Sequence, residues 1–382
     1  MNSRLFLQNS KRLDKMKRKV LIGFMINGHA GGIDKYIFNI IKMVYDQFDI
    51  TILVNEKTKE LKELLDDYNV KICEVSRLNH PVSQYKEICN ILRENIYEVA
   101  YLNCSTAIAF PFLVAAKKMN VRIRILHSHS TGIDTKNVAK KQIELLVHKF
   151  GKKICARTAN RFYACSDSAA QWMFDKKIFL NKKYELVPNS IEFSKYRRNM
   201  SKREEIRNAY GMNDCIVLGH ISNFQPVKNI DFILRIFKKI HDEEENIKLL
   251  LVGDGPDRSY AEQYIKDNRL DEDVILTGFQ KNVSDFYQIM DFFLLPSFFE
   301  GLPIVGIEAQ VSGTFAIFSD KITREVKISE RCEFLAIDNG VDVWVKCILE
   351  HKAKDNANGD LYEIADKYNL EKAQKTYLEL FE

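Results

Sequence analysis

The segment from Asp291 to Gly313 constrains the fold more than any other part of the chain. Its apolar beginning, Asp291 to Leu295, predicts a buried parallel strand. A short loop follows, and then a helix, because Pro303 suits a first helical turn and Gly313 suits a C-cap. This order places the helix N-terminus at the carboxyl edge of a parallel sheet, where open α/β sheets bind ligands. The segment therefore predicts an α/β protein with an anion site where this helix begins.

The rest of the chain alternates predicted strands with predicted helices. Strands are predicted at 19–26, 49–54, 70–75, 98–103, 122–127 and 161–165, and again at 215–221, 247–252, 273–276, 291–295 and 314–318. Helical spacing of apolar residues occurs near 33–46, 57–68, 82–95, 106–119, 137–158 and 167–175, and near 341–351, 359–367 and 369–381. Alternation of this kind predicts parallel, doubly wound sheets. Because it runs in two series, we expect two Rossmann-like domains that face a cleft.

The expected domain boundaries follow from this alternation. The chain has 382 residues, which suits two domains, and a polar connector is predicted at 195–201. We expect an N-terminal domain at 19–190, a second domain at 191–368 and a final helix at 369–382. Residues 1–18 are expected to form a disordered basic leader, although Met16, which directly precedes a strand, also resembles a start.

Composition excludes several classes of protein. No run of 18 apolar residues exists and the first 18 residues lack a signal-peptide core. The eight cysteines are scattered without a Cys-x-x-Cys pair, which favours a reducing cytoplasm. No Cys/His grouping has metal-ligand spacing, so we expect no metal site.

Charge is divided unevenly along the chain. Residues 1–190 hold 32 Lys and Arg against 18 Asp and Glu, a net +14, whereas the remainder holds 25 against 34, a net −9. A basic half favours an anionic partner. The chain has no nucleic-acid-binding motif, so an anionic membrane surface or a lipid diphosphate is the better expectation.

Two carboxylates flank the predicted anion site, Glu300 in the loop and Glu308 in the helix. Carboxylates beside a phosphate are unfavourable unless they accept hydrogen bonds from neutral hydroxyls. A ligand that carries both a diphosphate and many hydroxyls is a nucleotide sugar.

These residues also carry a family resemblance. The run Ser297-Phe-Phe-Glu-Gly-Leu-Pro303, with Glu308 seven residues beyond Glu300, resembles the signature of retaining glycosyltransferases of family 4, which have the fold called GT-B. The resemblance extends from about Lys19 to the end, and the most similar subgroup assembles bacterial capsular or exopolysaccharide units. It implies that Glu300 contacts sugar hydroxyls, that Glu308 holds the ribose and that the final helix crosses back to the first domain.

The resemblance also implies a phosphate clamp. Lys228 matches the family's lysine and would hold the diphosphate together with the helix start, which comprises Gly301, Leu302, Pro303 and Ile304. The chain departs from the family where Asn223 replaces an arginine and Ser222 a glycine. Loss of this cation implies that another one compensates (Arg324 and Lys321 are candidates), that the enzyme is slow, or that the chain no longer catalyses.

The resemblance also implies roles for the remaining site residues. The glycine-rich turn after the first strand, Gly28, Gly31 and Gly32, would approach donor and acceptor. A histidine at a strand end would contact the donor sugar, with His127 preferred over His129. The resemblance places a turn at Gly253 and a base-reading segment at Phe279 and Gln280, for which uracil is the first choice.

The predicted helix at 137–158 is basic as well as amphipathic. It carries Lys140, Lys141, Lys149, Lys152, Lys153 and Arg157. Such a helix either lies on a membrane surface or is a domain helix with a solvated lysine face.

Together these features predict a retaining, metal-independent hexosyltransferase. It would move a hexose from a UDP-sugar to a hydroxyl of a lipid-linked saccharide by front-side displacement, at the cytoplasmic face of the plasma membrane and without a cofactor. Two alternatives stay open: a non-catalytic glycosyltransferase-like partner, which Asn223 favours, and a nucleotide-sugar epimerase of the same fold. The sugar, the acceptor, the linkage and the oligomeric state are not specified by the sequence.

Overall fold

The structure is a computed structural model that describes residues 17–25, 31–135, 137–244, 246–352 and 366–382. Three predictions fall wholly or mostly outside these residues. They are the basic leader, Gly28 and the helix near 359–367.

The described residues form two parallel sheets. The first sheet contains β1 (Arg18–Met25), β2 (Phe48–Val54), β3 (Lys71–Glu74), β4 (Val99–Cys104), β5 (Ile123–Ser128), β6 (Arg161–Ala164) and β7 (Glu185–Leu186) in the order β3-β2-β1-β4-β5-β6-β7. The second contains β8 (Ile216–Ile221), β9 (Ile247–Val252), β10 (Val274–Gly278), β11 (Phe292–Leu295), β12 (Phe315–Ser319) and β13 (Cys332–Leu335) in the order β10-β9-β8-β11-β12-β13. In both sheets the order reverses next to the first strand of the series, and ligands bind at such switch points.

Helices connect the strands and cover the sheets. Those of the first half are α1 (Gly32–Val44), α2 (Lys59–Leu65), α3 (Pro81–Glu94), α4 (Pro111–Lys118), α5 (Val138–Thr158), α6 (Asp167–Met173), α7 (Lys176–Leu180) and α8 (Phe193–Tyr196). Those of the second half are α9 (Met200–Ala209), α10 (Ile230–His241), α11 (Arg258–Asp267), α12 (Ser284–Ile289), α13 (Ile304–Val311), α14 (Asp342–Lys352) and α15 (Leu370–Glu379). Among the described residues, none of these helices combines the length and the apolar character needed to cross a bilayer.

Two local predictions were wrong. The segment 195–201 is not a continuous polar connector, because α8 ends within it and α9 begins at Met200. The side chain of Asn199 accepts a hydrogen bond from the Lys202 backbone N–H and caps α9, a local signal that the polar composition concealed. The edge strand β13 was not predicted, since its four residues are too short to show a periodicity.

The end of the chain packs on the first sheet's domain. Tyr377 of α15 lies 5.8 Å, ring centroid to ring centroid, from Tyr36 of α1. The guanidinium of Arg18 donates to the Phe381 carbonyl at 3.1 Å, and Ile191 forms a parallel β-bridge with Asn369. These contacts attach the C-terminal residues to the first domain, so that the chain runs from one domain to the other twice.

Candidate active site between the two sheets

A cavity of about 280 Å³ lies between the carboxyl ends of the two sheets. Its first wall comes from the first domain and includes Gly31, Gly32, Lys35, His129, Asp134 and Asn189. Its second wall comes from the second domain and includes Asn223, Lys228, Glu300, Gly301, Leu302, Pro303 and Ile304. A larger cavity of about 580 Å³ lies between β6, β7 and α15, and none of the predicted site residues lines it. The positions of the predicted site residues therefore identify the smaller cavity as the candidate active site.

Glu300 and Lys228 form an ion pair on the second wall. Lys228 Nζ lies 2.6 Å from Glu300 Oε1, and each side chain is 14% exposed. The two loops that carry them are tied together, because the Phe298 N–H donates to the Val227 carbonyl at 2.9 Å. The structure thus brings together the predicted sugar contact and the predicted phosphate clamp. In the absence of a ligand each charge neutralises the other.

The two walls touch beside this ion pair. The Thr131 hydroxyl donates to the Glu300 carbonyl at 2.9 Å, and the Ser166 hydroxyl donates to the Gly301 carbonyl at 2.6 Å. A Cβ at Gly301 would lie 2.1 Å from the His129 carbonyl oxygen, and one at Gly132 would lie 2.8 Å from the Phe299 ring. Glycine is required at both positions because the two domains approach each other closely there.

Glu308 lies behind the second wall and is almost fully buried, with 1% of its surface exposed. Its Oε2 accepts from the Tyr287 hydroxyl at 2.7 Å, and its Oε1 accepts from the Tyr196 hydroxyl at 2.8 Å and from Lys35 Nζ at 3.4 Å. The pKa of both tyrosines is raised, mainly by burial and to a smaller extent by the negative charge of Glu308. Both hydroxyls therefore stay protonated and act as donors.

Lys35 is a cavity residue that the sequence reading missed. It lies in the first turn of α1 on the first wall, and its ammonium reaches across the cleft to Glu308 of the second domain. The predicted turn at Gly31 and Gly32 could have indicated Lys35 as a cavity residue. A helix that begins at the carboxyl edge of a sheet places its first residues next to the cleft.

The cations suggested as compensation for Asn223 lie elsewhere. Lys321 pairs with Asp338 at 2.5 Å, and the Arg324 guanidinium lies 3.9 Å from the ring centroid of Phe334. Neither belongs to the cavity lining, whereas Asn223 does. Lys35 and Lys228 are thus the cations that the described structure places on the cavity walls.

The structure places His129 rather than His127 at the cavity. The two rings stack with centroids 4.2 Å apart, but His127 is fully buried behind His129 and is not part of the lining. His127 Nδ1 hydrogen-bonds the Tyr101 hydroxyl at 2.5 Å, and His129 Nε2 bonds Asn103 Oδ1 at 3.0 Å. Burial lowers the pKa of His129 to about 3, so its ring is neutral near pH 7. The preference for His127 is corrected by this burial.

Three predicted donor residues are not on the walls. Gly253 has φ of 134°, and a Cβ there would lie 1.8 Å from the Ser222 carbonyl oxygen. Its role in this structure is to let the loop after β8 approach closely. Phe279 is half-exposed and Gln280 donates to the Thr277 carbonyl at 3.0 Å, at the end of β10, two strands away from β8. The structure does not bring these residues to the cavity.

Comparison with known proteins agrees with this architecture. Residues 202–368 match the family described as Glycosyl transferases group 1. The chain is 27% identical over 278 residues to the putative glycosyltransferase EpsF of Bacillus subtilis (strain 168), covering 72% of this chain and 71% of EpsF. It is 22% identical over 318 residues, 80% of each chain, to the UDP-Gal:alpha-D-GlcNAc-diphosphoundecaprenol alpha-1,3-galactosyltransferase of Escherichia coli.

A solved structure shows the same fold over nearly the whole chain. Anabaena HepE in complex with UDP-glucose superposes with a TM-score of 0.71 and 15% identity, covering 96% of this chain and 95% of HepE. The fold is therefore GT-B, as predicted, and the family match covers residues 202–368 of the chain.

Proposed function

We propose that the protein is a retaining glycosyltransferase that moves a hexose from a UDP-sugar to a hydroxyl of a lipid-linked saccharide during synthesis of a cell-surface polysaccharide. The observation that carries the proposal is the Lys228–Glu300 pair, 2.6 Å apart on the cavity wall where α13 begins. A cation, a helix N-terminus and a carboxylate in one cavity match a ligand that has both a diphosphate and hydroxyls.

The donor enters this site by exchanging partners with the ion pair. The diphosphate takes Lys228 and the N–H groups of Ile304 and Val305 at the start of α13, where helical N–H groups have no intrahelical acceptor. Glu300, released from Lys228, then accepts hydrogen bonds from the hexose hydroxyls. After the exchange Lys228 is paired with the diphosphate and Glu300 is hydrogen-bonded by the sugar hydroxyls, so that binding does not leave a buried carboxylate without a partner.

Glu308 holds the ribose in this proposal. Tyr196 and Tyr287 fix its two oxygens, and each oxygen retains a further lone pair for a ribose hydroxyl. Lys35 occupies the cavity side of Glu308. Displaced by the ribose, its ammonium moves toward the diphosphate and supplies the positive charge that Asn223 does not.

Catalysis then depends on cations that stabilise the negative charge of the departing UDP. Lys228 and Lys35 stabilise the leaving diphosphate without a metal ion, and the diphosphate oxygen accepts the proton of the attacking hydroxyl on the same face of the sugar. His129, neutral and on the first wall, hydrogen-bonds the hexose. Acceptor and donor meet between the walls, at the cytoplasmic side of the membrane.

Known relatives support the choice of substrates. The Escherichia coli relative is named for UDP-Gal and a diphosphoundecaprenol acceptor, and HepE was solved with UDP-glucose. These names concern those proteins, and they make UDP-hexoses and polyprenyl-diphosphate saccharides the first compounds to test here.

The test is a transfer assay with UDP-hexoses and a lipid-linked saccharide extract, in which released UDP and elongated glycolipid are both measured. We expect UDP release only with acceptor, abolished in Glu300→Gln and unchanged in Glu94→Gln, an exposed carboxylate elsewhere. A changed sugar without UDP release would instead identify an epimerase. Absence of transfer with every donor would favour the non-catalytic partner to which Asn223 points.

A further inference from the structure

Helix α5 carries a row of apolar side chains on its outer surface. Ile143 is 62% exposed, Leu146 is 68% exposed and Phe150 is 62% exposed, and Val147 beside them is 37% exposed. The spacing of three and four residues places these side chains on one stripe of the helix. Apolar residues at this spacing normally face a core, so their exposure requires an explanation.

The rotation of α5 is fixed by close packing on its other face. A Cβ at Gly151 would lie 2.2 Å from the Ala107 carbonyl oxygen, so this turn of the helix lies directly against the 3-10 turn at Ala107–Ala109. His148 Nδ1 accepts from the Ala107 N–H at 3.0 Å, and its ring stacks on Trp172 with centroids 4.1 Å apart. The helix cannot roll its apolar stripe into the domain without breaking these contacts.

Basic side chains border the exposed stripe. Lys149 and Lys153 are exposed and precede and follow Phe150 on the same side of the helix. The surrounding chain is strongly basic, since residues 111–160 hold 11 Lys and Arg against 2 Asp and Glu. Lys152 is different, because its ammonium donates to the Trp172 carbonyl at 2.6 Å and anchors the helix to the domain.

Helix α5 follows a loop that lines the cavity. The loop that joins β5 to α5 contributes His129 and Asp134 to the first wall. Asn137 then caps α5, its side chain accepting from the Lys140 N–H at 2.9 Å. The N-terminal end of α5 is therefore joined directly to the loop that lines the first wall.

We propose that the outer face of α5, comprising Ile143, Leu146, Val147 and Phe150 with Lys149 and Lys153, docks on an anionic lipid bilayer. Apolar side chains enter the headgroup boundary while the lysines meet the phosphates. Charge complementarity favours lipid over a protein partner, because the core of protein interfaces is depleted in lysine. The docking surface is separate from the transferase site, and its test requires no donor or acceptor.

The experiment is vesicle flotation of the full chain with phosphatidylcholine alone and with phosphatidylcholine–phosphatidylglycerol mixtures. The wild type should float with the anionic vesicles, and high salt should weaken the association. Lys149→Gln with Lys153→Gln should reduce partitioning about 30-fold, at roughly 1 kcal/mol per removed charge. Leu146→Ser with Phe150→Ser should reduce it by about 100-fold or more, since two large apolar side chains leave the lipid.

Two controls make the outcome decisive. Val82→Ser with Ile96→Ser removes two apolar side chains outside α5 that are at least about as exposed as Leu146 and Phe150, and it should leave flotation unchanged. Thermal unfolding and UDP binding should match the wild type in all variants, which excludes misfolding. Equal flotation on neutral and anionic vesicles, or unchanged flotation of the Leu146–Phe150 variant, would overturn the proposal. So would a dimer in solution that this variant dissociates while vesicle binding persists, because the stripe would then be a contact between copies.

Discussion

The two walls of the cavity differ in how their charged groups are arranged. The second wall holds its charges in pairs, with Lys228 against Glu300 and Glu308 behind it between two tyrosine hydroxyls. The first wall presents the ring of His129, which burial keeps uncharged by lowering its pKa, beside the carboxyl group of Asp134. The difference suggests a division of labour, in which the second wall binds the charged nucleotide and the first wall meets hydroxyls. Lys35 is the exception, a first-wall cation that reaches the second wall.

The largest effect on the transfer rate is expected when the Lys228–Glu300 ion pair of the second wall is removed. Lys228→Met removes the cation at the leaving diphosphate and should lower transfer by about 100- to 1000-fold. His129→Asn on the first wall, which keeps a neutral hydrogen-bonding group, should lower it far less. Steady-state rates with a UDP-hexose and acceptor extract measure both. Equal losses of transfer rate in the two variants would contradict the proposed division of roles between the walls.

The second wall was largely predictable from the sequence, whereas the first was predicted only in part, at Gly31, Gly32 and His129. The residues of the second wall lie in short local motifs, so that Glu300 follows its strand and precedes its helix within ten residues of sequence. The partnership of Lys35 and Glu308 spans 273 positions and depends on how two domains meet. No local pattern encodes such a contact.

Burial is the other property that local sequence concealed. The order of neighbouring strands decides that His127 lies behind His129, because β5 is flanked by β4 and β6 in the middle of the sheet. The exposed stripe of α5 is a similar case. Its apolar spacing alone would predict a buried face, and the glycine at 151 that turns this face outward is recognisable only from its contact with Ala107.

The second prediction tests whether Glu308 belongs to the nucleotide site as well as to the core. Glu308→Ala removes the acceptor of the partly buried Tyr196 hydroxyl and one of the two acceptors of the buried Tyr287 hydroxyl, which also donates to the Val305 carbonyl at 3.2 Å. The loss should lower the free energy of unfolding by roughly 1–3 kcal/mol. It should also weaken UDP binding, because the ribose loses its carboxylate. Calorimetric titration and denaturant unfolding separate the two effects.

A matched variant sharpens this result. Tyr287→Phe removes one buried hydroxyl contact to Glu308 but leaves the carboxylate in place. It should lower stability while UDP affinity stays near that of the wild type. UDP affinity unchanged in Glu308→Ala would remove Glu308 from the proposed site and leave it a purely structural residue.

The third prediction compares the two domains in acid. Burial lowers the pKa of His129 to about 3, that of His148 to about 4 and that of His127 well below its usual range, all in the first domain. The second domain has one comparable residue, His220, with a pKa of about 4. A lowered folded-state pKa means that the folded state binds fewer protons, so the stability contribution is present above about pH 6.5 and is lost as the pH falls toward the folded value.

The first domain should therefore lose more stability than the second on acidification, by on the order of 2 kcal/mol at pH 6. Hydrogen exchange of the β4 and β5 amides, compared with those of β8 and β9 and corrected for intrinsic rates, measures the difference. His80→Asn, which changes an exposed histidine, is the control and should not alter the slope. Parallel losses in both sheets would show that the buried histidines do not distinguish the domains.

The smallest effect concerns Lys35, the first-wall cation that contacts Glu308 of the second domain. If Lys35 supplies the cation that Asn223 lacks, Lys35→Met should weaken UDP-sugar binding by about ten-fold, the scale of one charge-assisted contact. Lys42→Met is the matched control, because Lys42 lies on the same helix but pairs with Glu192 at 2.5 Å, away from the cavity lining. Thermal unfolding of each variant shows whether a loss of UDP-sugar binding arises instead from destabilisation of the fold by Glu308, which no longer has Lys35 as its partner.

The decisive arm of this last experiment adds Asn223→Arg. In the wild type the added guanidinium should gain little, because Lys35 already neutralises the diphosphate. In the Lys35→Met background the same substitution should restore most of the lost affinity, since an arginine at 223 places a permanent planar cation on the cavity wall. Non-additivity of this kind shows that two residues serve one interaction. If Asn223→Arg strengthened binding equally in both backgrounds, the two positions would act on different parts of the ligand, and Lys35 would not be the substitute for the missing arginine.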